Sequence, residues 1–259
     1  MDLVSALILA IVQGITEWFP ISSSGHLIIV EKLLGESSGL LLEVALHFGT
    51  LMAVFAYFSK DIVDITKDIL SGKWGTPNAR LGFLLILSSV PAGFVGYFAR
   101  DYFDSIFSTL ASVGIGFGIT AMLLFIAGTH QGARKKLDKF SPFRVLLIGF
   151  AQAVSILPGV SRSGSTISSG ILLGLDEKSA MRFSFLMSIP VVLGASLLTL
   201  GNVKELSLSF LPASLVSFVV GLVSIHFVFT KGLNKRKNFV WFGIYCLLLS
   251  ILVLSISLF

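Results

Sequence analysis

Charged side chains are scarce in this sequence. Asp, Glu, Lys and Arg make up 13% of its 259 residues, against about 25% in an ordinary soluble domain. This scarcity, in a strongly apolar chain, excludes a disordered protein, a soluble enzyme with a solvated surface and a nucleic-acid-binding protein. Cys246 is the single cysteine, which excludes an intrachain disulfide. The N-terminus lacks the basic segment of a secretory signal, so we expect it to stay attached.

Apolar residues are abundant instead. They account for 54% of the chain, and the mean hydropathy is +0.93. At about 20 residues per membrane crossing, this stock is enough for about seven crossings. The sequence therefore predicts an all-α polytopic membrane protein, and the net charge of +5 is interpreted as basic cytoplasmic loops.

Six uninterrupted apolar segments are long enough to cross a bilayer. They cover residues 40–59, 81–99, 109–129, 180–200, 210–230 and 239–258. Two further regions, 3–34 and 144–175, are broken in the middle by proline, serine and glycine at 20–25 and 158–164. Since their arms are too short to cross singly, we predict two re-entrant helix–loop–helix units with polar tips near the bilayer midplane.

The two broken regions resemble each other. Gln13 precedes Gly25 by twelve residues, and Gln152 precedes Gly164 by twelve. A second echo pairs H-F-x-x-L-M at 47–52 with R-F-x-x-L-M at 182–187, at a similar offset. These matches predict a duplication within one integral membrane domain spanning 1–259, with one repeat over about 1–130 and the other over about 140–259.

Each predicted half contains one re-entrant pair and three crossings, which gives ten helical elements in total. Because three is odd, the two halves are predicted to have inverted topology. The loop charges then fix the orientation. Three basic residues lie on the side of the termini, and 14 lie on the other side. The positive-inside rule therefore places both termini outside the cytoplasm. The three are Lys32, Arg100 and Lys204; the 14 are Lys60, Lys67, Lys73, Arg80, Arg134, Lys135, Lys136, Lys139, Arg144, Lys178, Lys231, Lys235, Arg236 and Lys237.

Ionisable side chains at membrane depth are costly, so they are candidates for function. Each of them also has a structural interpretation. Glu17 and His26 could pair as polar glue between helices, and Arg162 could extend to an interface. An isolated histidine such as His47 is more often a packed, neutral side chain. The six residues are Glu17, His26, Glu43, His47, Arg162 and Arg182, of which Glu43 and Arg182 lie near the ends of crossings.

The loop tips carry the stronger signal. Each tip follows a proline and precedes an apolar arm, where a helix N-terminus offers unpaired N–H groups to an anion. Serine and glycine alone could simply allow close helix packing, but Arg162 among them favours a phosphate site. The residues expected to bind phosphate are Ser22, Ser24, Gly25, Ser161, Ser163, Gly164 and Thr166.

The Glu17 carboxylate would repel phosphate unless a cation lay between them. We therefore expect Mg²⁺ or Ca²⁺ held by oxygen ligands. His26 follows Ser23 by three residues and could act as its general base, or as the nucleophile itself.

These motifs resemble those of the undecaprenyl-diphosphate phosphatase family, the bacterial bacitracin-resistance proteins. Q-G-I-T-E at 13–17 looks like the family's Glu/Gln-x-x-x-Glu motif, P-I-S-S-S-G-H at 20–26 continues it, and P-G-V-S-R-S-G-S-T at 158–166 looks like its second signature. The resemblance covers essentially the whole chain. It implies hydrolysis of undecaprenyl diphosphate to undecaprenyl phosphate and inorganic phosphate, which recycles the lipid carrier of cell-wall synthesis and confers bacitracin resistance.

The resemblance also implies roles for individual residues. Glu17 would hold the metal, with Gln13 and Glu43 as further ligands, and Arg162 would clamp phosphate. Ser23 and His26 would perform the displacement, while Ser161, Ser163 and Thr166 would donate hydrogen bonds to phosphate oxygens. Because Gln13 occupies the first position of the motif, the metal would have one anionic ligand fewer.

Two other functions remain open at this point. Inverted repeats with broken helices are typical of secondary transporters, so the chain could instead transport or flip a polyprenyl phosphate. A structural scaffold would leave Arg162 unexplained. The expected partners are a polyprenyl diphosphate lipid and the bilayer. A homodimer is a further expectation, because the glycines at 114–118 have a GxxxG-like spacing that could pack helices within one subunit or between two.

Overall fold

The computed structural model describes residues 1–98, 109–132, 135–137, 140–200, 208–233 and 235–258. These residues form eleven α-helices: α1 Leu3–Thr16, α2 Ser23–Leu34, α3 Gly39–Tyr57, α4 Ser59–Leu70, α5 Pro77–Phe98, α6 Leu110–Thr129, α7 Pro142–Val154, α8 Arg162–Leu172, α9 Glu177–Leu200, α10 Leu211–Phe227 and α11 Arg236–Ser257. A short π-helical turn, Val228–Gly232, continues α10. Of the basic residues used above to assign orientation, Arg100, Arg134, Lys139 and Lys204 lie outside the described residues.

The prediction of an all-helical polytopic protein is confirmed. Within the described ranges, six helices are long and apolar enough to span a bilayer: α3, α5, α6, α9, α10 with its π-helical turn, and α11. Three of them, α5, α9 and α11, begin three or four residues before the predicted segments because their first turns are polar. Large apolar side chains on these helices, including Phe83, Phe94, Val223 and Leu252, are more than half exposed, as lipid-facing residues are.

The two interrupted regions fold as helical hairpins, which we call hairpin 1 (α1 and α2) and hairpin 2 (α7 and α8). Their helices have 14, 12, 13 and 11 residues. At about 1.5 Å per residue, none reaches the roughly 30 Å of a bilayer core. Side-chain oxygens cap the helix starts: Asp2 accepts from the N–H of Ser5 at 2.7 Å, and Ser141 accepts from that of Arg144 at 3.4 Å.

The eleventh helix, α4, corrects the expected count of ten. It lies in a segment that the hydropathy pattern assigned to a basic loop. Ile62, Ile65 and Ile69 share one face of α4, and its other positions are mostly polar. Helix α4 packs on α5, where Gly82 leaves room for Ile65 and Ile69. Asp61 of α4 also forms an ion pair with Arg182 of α9.

The glycines at 114–118 on α6 allow close packing against another helix of the same chain. Helix α6 packs along α11, and a Cβ added at Gly114 would lie 2.8 Å from Leu254, whereas one added at Gly118 would lie 3.1 Å from Ser250. The Ser250 hydroxyl donates to the carbonyl of Gly114 at 2.7 Å. These contacts account for the GxxxG-like spacing inside one subunit, so that spacing no longer supports a homodimer.

Candidate active site

The loops of the two hairpins meet in the interior of the molecule. The Ser163 hydroxyl, in the first turn of α8, donates to the carbonyl of Phe19 in the loop of hairpin 1 at 3.0 Å. Next to it, the Arg162 guanidinium of hairpin 2 forms an ion pair with the Glu17 carboxylate of hairpin 1. The predicted meeting of the two polar tips is therefore present in the structure.

Glu17 is the centre of this cluster. Its side chain is 5% exposed, and its two oxygens have different partners. Oε1 accepts from Arg162 Nη2, whereas Oε2 accepts from the Ser23 hydroxyl at 2.6 Å and from Gln13 Nε2 at 3.1 Å. A buried carboxylate needs such partners, because an unpaired charge in a low-dielectric interior costs several kcal/mol.

His47 of α3 belongs to the cluster as well, although its sequence context favoured a packed, neutral histidine. Its Nδ1 lies 3.0 Å from Gln13 Nε2 and 3.9 Å from Glu17 Oε2. Its position at membrane depth was the only sequence signal for it. The contact itself depends on how α3 packs against α1, which hydropathy does not show.

His26 makes its described contacts with Ser22 and Tyr245. Its Nδ1 lies 2.7 Å from the Ser22 carbonyl oxygen, and its Nε2 lies 2.8 Å from the hydroxyl of Tyr245 on α11. The two rings stack with centroids 5.7 Å apart. The Ser23 hydroxyl donates to Glu17. Among the described hydrogen bonds, its proton acceptor is therefore Glu17, whereas the sequence suggested His26. Nothing in the sequence pointed to Tyr245, which lies 219 residues from His26.

The starts of α2 and α8 are built alike. The hydroxyl of Ser22 accepts from the N–H of Gly25 at 3.3 Å, and that of Ser161 accepts from the N–H of Gly164 at 3.0 Å. Ser22 has a φ of 70°, the one positive value found at a non-glycine residue in the described part of the chain. Such a strained backbone at a helix start is typical of functional sites.

The remaining predicted phosphate donors lie near this junction. The Ser24 hydroxyl is 3.3 Å from that of Ser22. Thr166 donates to the Arg162 carbonyl at 2.8 Å, and its hydroxyl is 2.6 Å from that of Ser184 on α9. A Cβ added at Gly25 would come within 2.6 Å of Phe117 on α6, so glycine is what allows α2 to start here.

Two of the other ionisable residues make their described contacts elsewhere. Glu43 Oε1 accepts from the Ser38 hydroxyl at 3.3 Å, at the start of α3, and Arg182 pairs with Asp61 as described above. No group of three or more His, Cys, Asp or Glu side chains suited to a metal ion occurs among the residues that the structure describes. Glu43 is therefore not joined to Glu17 in such a group.

A cavity of about 320 Å³ opens beside the cluster, between α1 and α11. Its lining is almost entirely apolar and includes Ile15, Phe19, Ile21, Trp241, Phe242 and Tyr245. Tyr245 also contacts His26, so the cavity adjoins the start of α2.

The fold and the site together define a polytopic membrane protein with a partly buried cluster of serine, carboxylate and arginine side chains suited to phosphate chemistry. The chain belongs to the bacitracin resistance protein BacA family, whose model matches residues 6–252. It is 37% identical to an undecaprenyl-diphosphatase of Methanosphaera stadtmanae over 99% of both chains. It is 36% identical to one of Carboxydothermus hydrogenoformans over 99% of this chain and 98% of that protein. It is 37% identical to one of Korarchaeum cryptofilum over 99% of this chain and 100% of that protein.

Proposed function

We propose that this chain is an undecaprenyl-diphosphatase, which hydrolyses undecaprenyl diphosphate to undecaprenyl phosphate and inorganic phosphate. The family and its relatives support this function. The observation that carries it in the structure is the Glu17 carboxylate, which joins the Ser23 hydroxyl to the Arg162 guanidinium. The proposed nucleophile, its proton acceptor and a guanidinium that would bind phosphate thus lie side by side.

In the mechanism that this geometry supports, the Ser23 oxygen attacks the terminal phosphorus in line with the anhydride bond. The Ser23 proton passes to Glu17 Oε2, its hydrogen-bond acceptor at 2.6 Å. The anhydride P–O bond breaks and undecaprenyl phosphate leaves, carrying the bonding electron pair; water then hydrolyses the phosphoserine. His26, held between Ser22 and Tyr245, fixes the start of α2.

Arg162 has two roles in this mechanism. In the structure it neutralises Glu17 through Nη2, and its described contacts leave Nε and Nη1 for phosphate oxygens. When phosphate draws the guanidinium away, Glu17 becomes a better proton acceptor at the moment when Ser23 must lose its proton. The N–H groups at the starts of α2 and α8 stabilise the charge on the transferring group.

A divalent cation, Mg²⁺ or Ca²⁺, fits the side chains at this site. Gln13 is fully buried, and its Oε1 has no hydrogen-bond partner among the described residues, whereas Glu17 Oε2 faces Gln13 and Ser23. Such oxygen donors suit a hard cation. Gln13 and Glu17 would hold the ion, which would neutralise diphosphate charge, whereas the described contact of Glu43 is with Ser38.

The prenyl tail is proposed to occupy the apolar cavity lined by Trp241 and Phe242. A C55 isoprenoid stays in the bilayer, so the cavity would hold its first units by van der Waals packing and not by removing them from water. The tail then remains in lipid while the diphosphate reaches Arg162.

The topology is proposed to be an inverted repeat within one membrane domain, with re-entrant hairpins. The protein is proposed to lie in a bacterial inner membrane with both termini outside the cytoplasm. The helix contacts support this proposal, because the same pairs occur in both halves. Helix α1 packs on α10 as α7 packs on α5, and α3 packs on α10 as α9 packs on α5. If α1–α3 correspond to α7–α9, and α5 and α6 to α10 and α11, these pairs interchange when the halves are swapped. A homodimer stays a prediction.

Lipid translocation is a second candidate, favoured by the same exchangeable packing around one central site. A protein that flips its product should still move undecaprenyl phosphate across liposomes when Ser23→Ala has stopped hydrolysis. Failure of this variant to move the lipid would leave hydrolysis as the only function.

The proposed hydrolysis is tested by phosphate release from undecaprenyl diphosphate in detergent with purified protein. Ser23→Ala should reduce release by at least about 10³-fold, because it removes the nucleophile. His226→Gln on α10, which lies beside Tyr57, is the control and should release phosphate normally. Binding of the lipid without phosphate release by the unsubstituted protein would contradict the proposal.

A further inference from the structure

Helix α4 presents a second set of apolar side chains, apart from the isoleucines that pack on α5. Val63 is 45% exposed and Leu70 is 82% exposed. They are seven residues apart, which is close to two helical turns, so they lie on one side of the helix. Trp74, in the turn that follows α4, is 69% exposed. The described part of the protein therefore leaves three large apolar side chains uncovered in this short segment.

The charged residues of the same segment are sorted by sign. Between residues 59 and 75 the exposed charged side chains are all lysines, whereas the aspartates are half buried. Asp61 pairs with Arg182 of α9. Asp68 accepts hydrogen bonds from Thr76 at 2.9 Å and from Asn78 at 3.0 Å. The exposed surface is therefore both apolar and positively charged. We call the following six residues the outer face of α4: Lys60, Val63, Lys67, Leu70, Lys73 and Trp74.

The position of α4 in the chain places this outer face beside the membrane. Helix α3 ends at Tyr57 and α5 begins at Pro77, and both are long and apolar enough to span a bilayer. With 12 residues, half of them charged, α4 is too short and too polar to cross. It therefore lies beside the surface of the bilayer. At that level a tryptophan ring is favoured, and a lysine extends its ammonium group toward lipid phosphates.

We propose that the outer face of α4 binds the anionic phospholipid headgroups of the membrane that the protein spans. Charge complementarity favours this partner, because lysines without an exposed carboxylate among them attract a negatively charged surface. The lipid-facing side of the protein is also close by, since Phe83, in the second turn of α5, is 59% exposed. An apolar stripe with lysines around it is typical of a helix that lies in the membrane interface. This inference does not depend on the proposed hydrolysis.

Spin labelling of the full-length protein in lipid nanodiscs tests the proposal. Cys246 is fully buried, so a nitroxide should attach at Leu70→Cys, and the unsubstituted protein measures any background. In nanodiscs with phosphatidylglycerol, oxygen, which concentrates in lipid, should relax this label at least about twofold more than a water-soluble nickel complex does. Gln131→Cys, in the exposed loop after α6, is the control and should give the opposite order. Stronger relaxation by nickel at position 70 would overturn the proposal.

The fluorescence of Trp74 gives a second measurement that needs no label. Subtracting the emission of Trp74→Phe from that of the unsubstituted protein separates this residue from Trp18 and Trp241. Lipids brominated near the headgroup should quench the Trp74 emission, and iodide in the water should quench it less. Quenching by iodide and not by brominated lipid would overturn the proposal, whether the outer face then meets water or a protein partner.

The role of the lysines is tested by changing the lipid. With the label at position 70, replacing phosphatidylcholine by phosphatidylglycerol should raise the ratio of oxygen to nickel relaxation at least about twofold. A triple variant that keeps the apolar side chains should lose this rise: Lys60→Gln, Lys67→Gln and Lys73→Gln. A control that removes three charges elsewhere should keep it: Lys231→Gln, Lys235→Gln and Lys237→Gln. An equal rise with and without the lysines of α4 would overturn recognition of the headgroups by charge.

Discussion

Substitution of Arg162 tests the central feature of the site, because this residue is expected to serve both stability and catalysis. The Arg162 side chain is 18% exposed and that of Glu17 is 5% exposed, so their ion pair is largely buried. Removing one partner of a buried pair costs about 3–5 kcal/mol, since the other charge is left unpaired. Arg162→Ala should therefore lower the unfolding temperature and also abolish phosphate release.

Arg162→Lys separates the two effects. Lysine keeps the positive charge beside Glu17, so the free energy of unfolding should fall by no more than about 1 kcal/mol. It loses the planar fork that binds two phosphate oxygens at once, and we expect a loss of about 1.5–3 kcal/mol of transition-state stabilisation, or about 10- to 150-fold in kcat/KM. Lysine would thus preserve the fold and lose most of the activity.

The assay combines phosphate release from undecaprenyl diphosphate with thermal unfolding of the same detergent-purified samples. Arg144→Lys is the matched control, because Arg144 lies on hairpin 2 beside the ring of Phe140, outside the site. In the double variant Glu17→Gln with Arg162→Met, stability should recover relative to Arg162→Ala without any return of activity. Phosphate release by Arg162→Lys within twofold of the unsubstituted protein would refute the reasoning.

Three further predictions concern residues around the site and on the polar loop. Gly25→Ala should cost about 1–3 kcal/mol of stability, since the new Cβ would lie 2.6 Å from Phe117. The control Gly93→Ala should cost nothing, because no atom lies within 4 Å of the added Cβ. Equal unfolding temperatures for these two variants would contradict the prediction. Tyr245→Phe removes the hydroxyl that contacts His26 and keeps the ring, so kcat should fall while lipid binding stays within twofold; a rise in KM alone would assign Tyr245 to the tail instead. Hydrogen bonds from Thr76 and Asn78 lower the pKa of Asp68, so this carboxylate stabilises the fold above the ordinary carboxyl pKa, and its contribution is lost as the pH falls through the lowered value. Unfolding measured from pH 7 to pH 3 should therefore depend less on pH in Asp68→Asn than in the control Asp64→Asn, and equal slopes would contradict the assignment.

The sequence predicted the helices well where the signal was local. Uninterrupted apolar segments identified the six long helices, and proline followed by serine and glycine identified both hairpin loops. Helix α4 was missed because its apolar residues are few. Even so, Ile62, Ile65 and Ile69 recur at intervals of three and four, which is a helical period. A search for amphipathic spacing in the polar loops would have found it.

The site was predictable in its residue types and much less so in its pairings. Membrane-depth charges and loop-tip serines correctly brought Glu17, Ser23 and Arg162 into one neighbourhood. The partner of each hydrogen bond depends on packing between distant helices: His47 lies 34 residues from Gln13, and Tyr245 lies 219 residues from His26. Short sequence spacing suggested that His26 serves Ser23, but its ring nitrogens contact Ser22 and Tyr245.

The pairing of Glu17 with Arg162 also bears on substrate choice. Each hairpin contributes one charge, and neither charge could be buried alone without a large cost, so the site is stable only when both hairpins have assembled. A bound phosphate must compete with the Glu17 carboxylate for the guanidinium. A diphosphate carries more negative charge than the monophosphate product, and it would also reach the N–H groups at the starts of α2 and α8. Under the proposed function, the diphosphate would therefore compete for Arg162 better than a monophosphate would, and the ion pair would re-form once the phosphate on Ser23 has been hydrolysed.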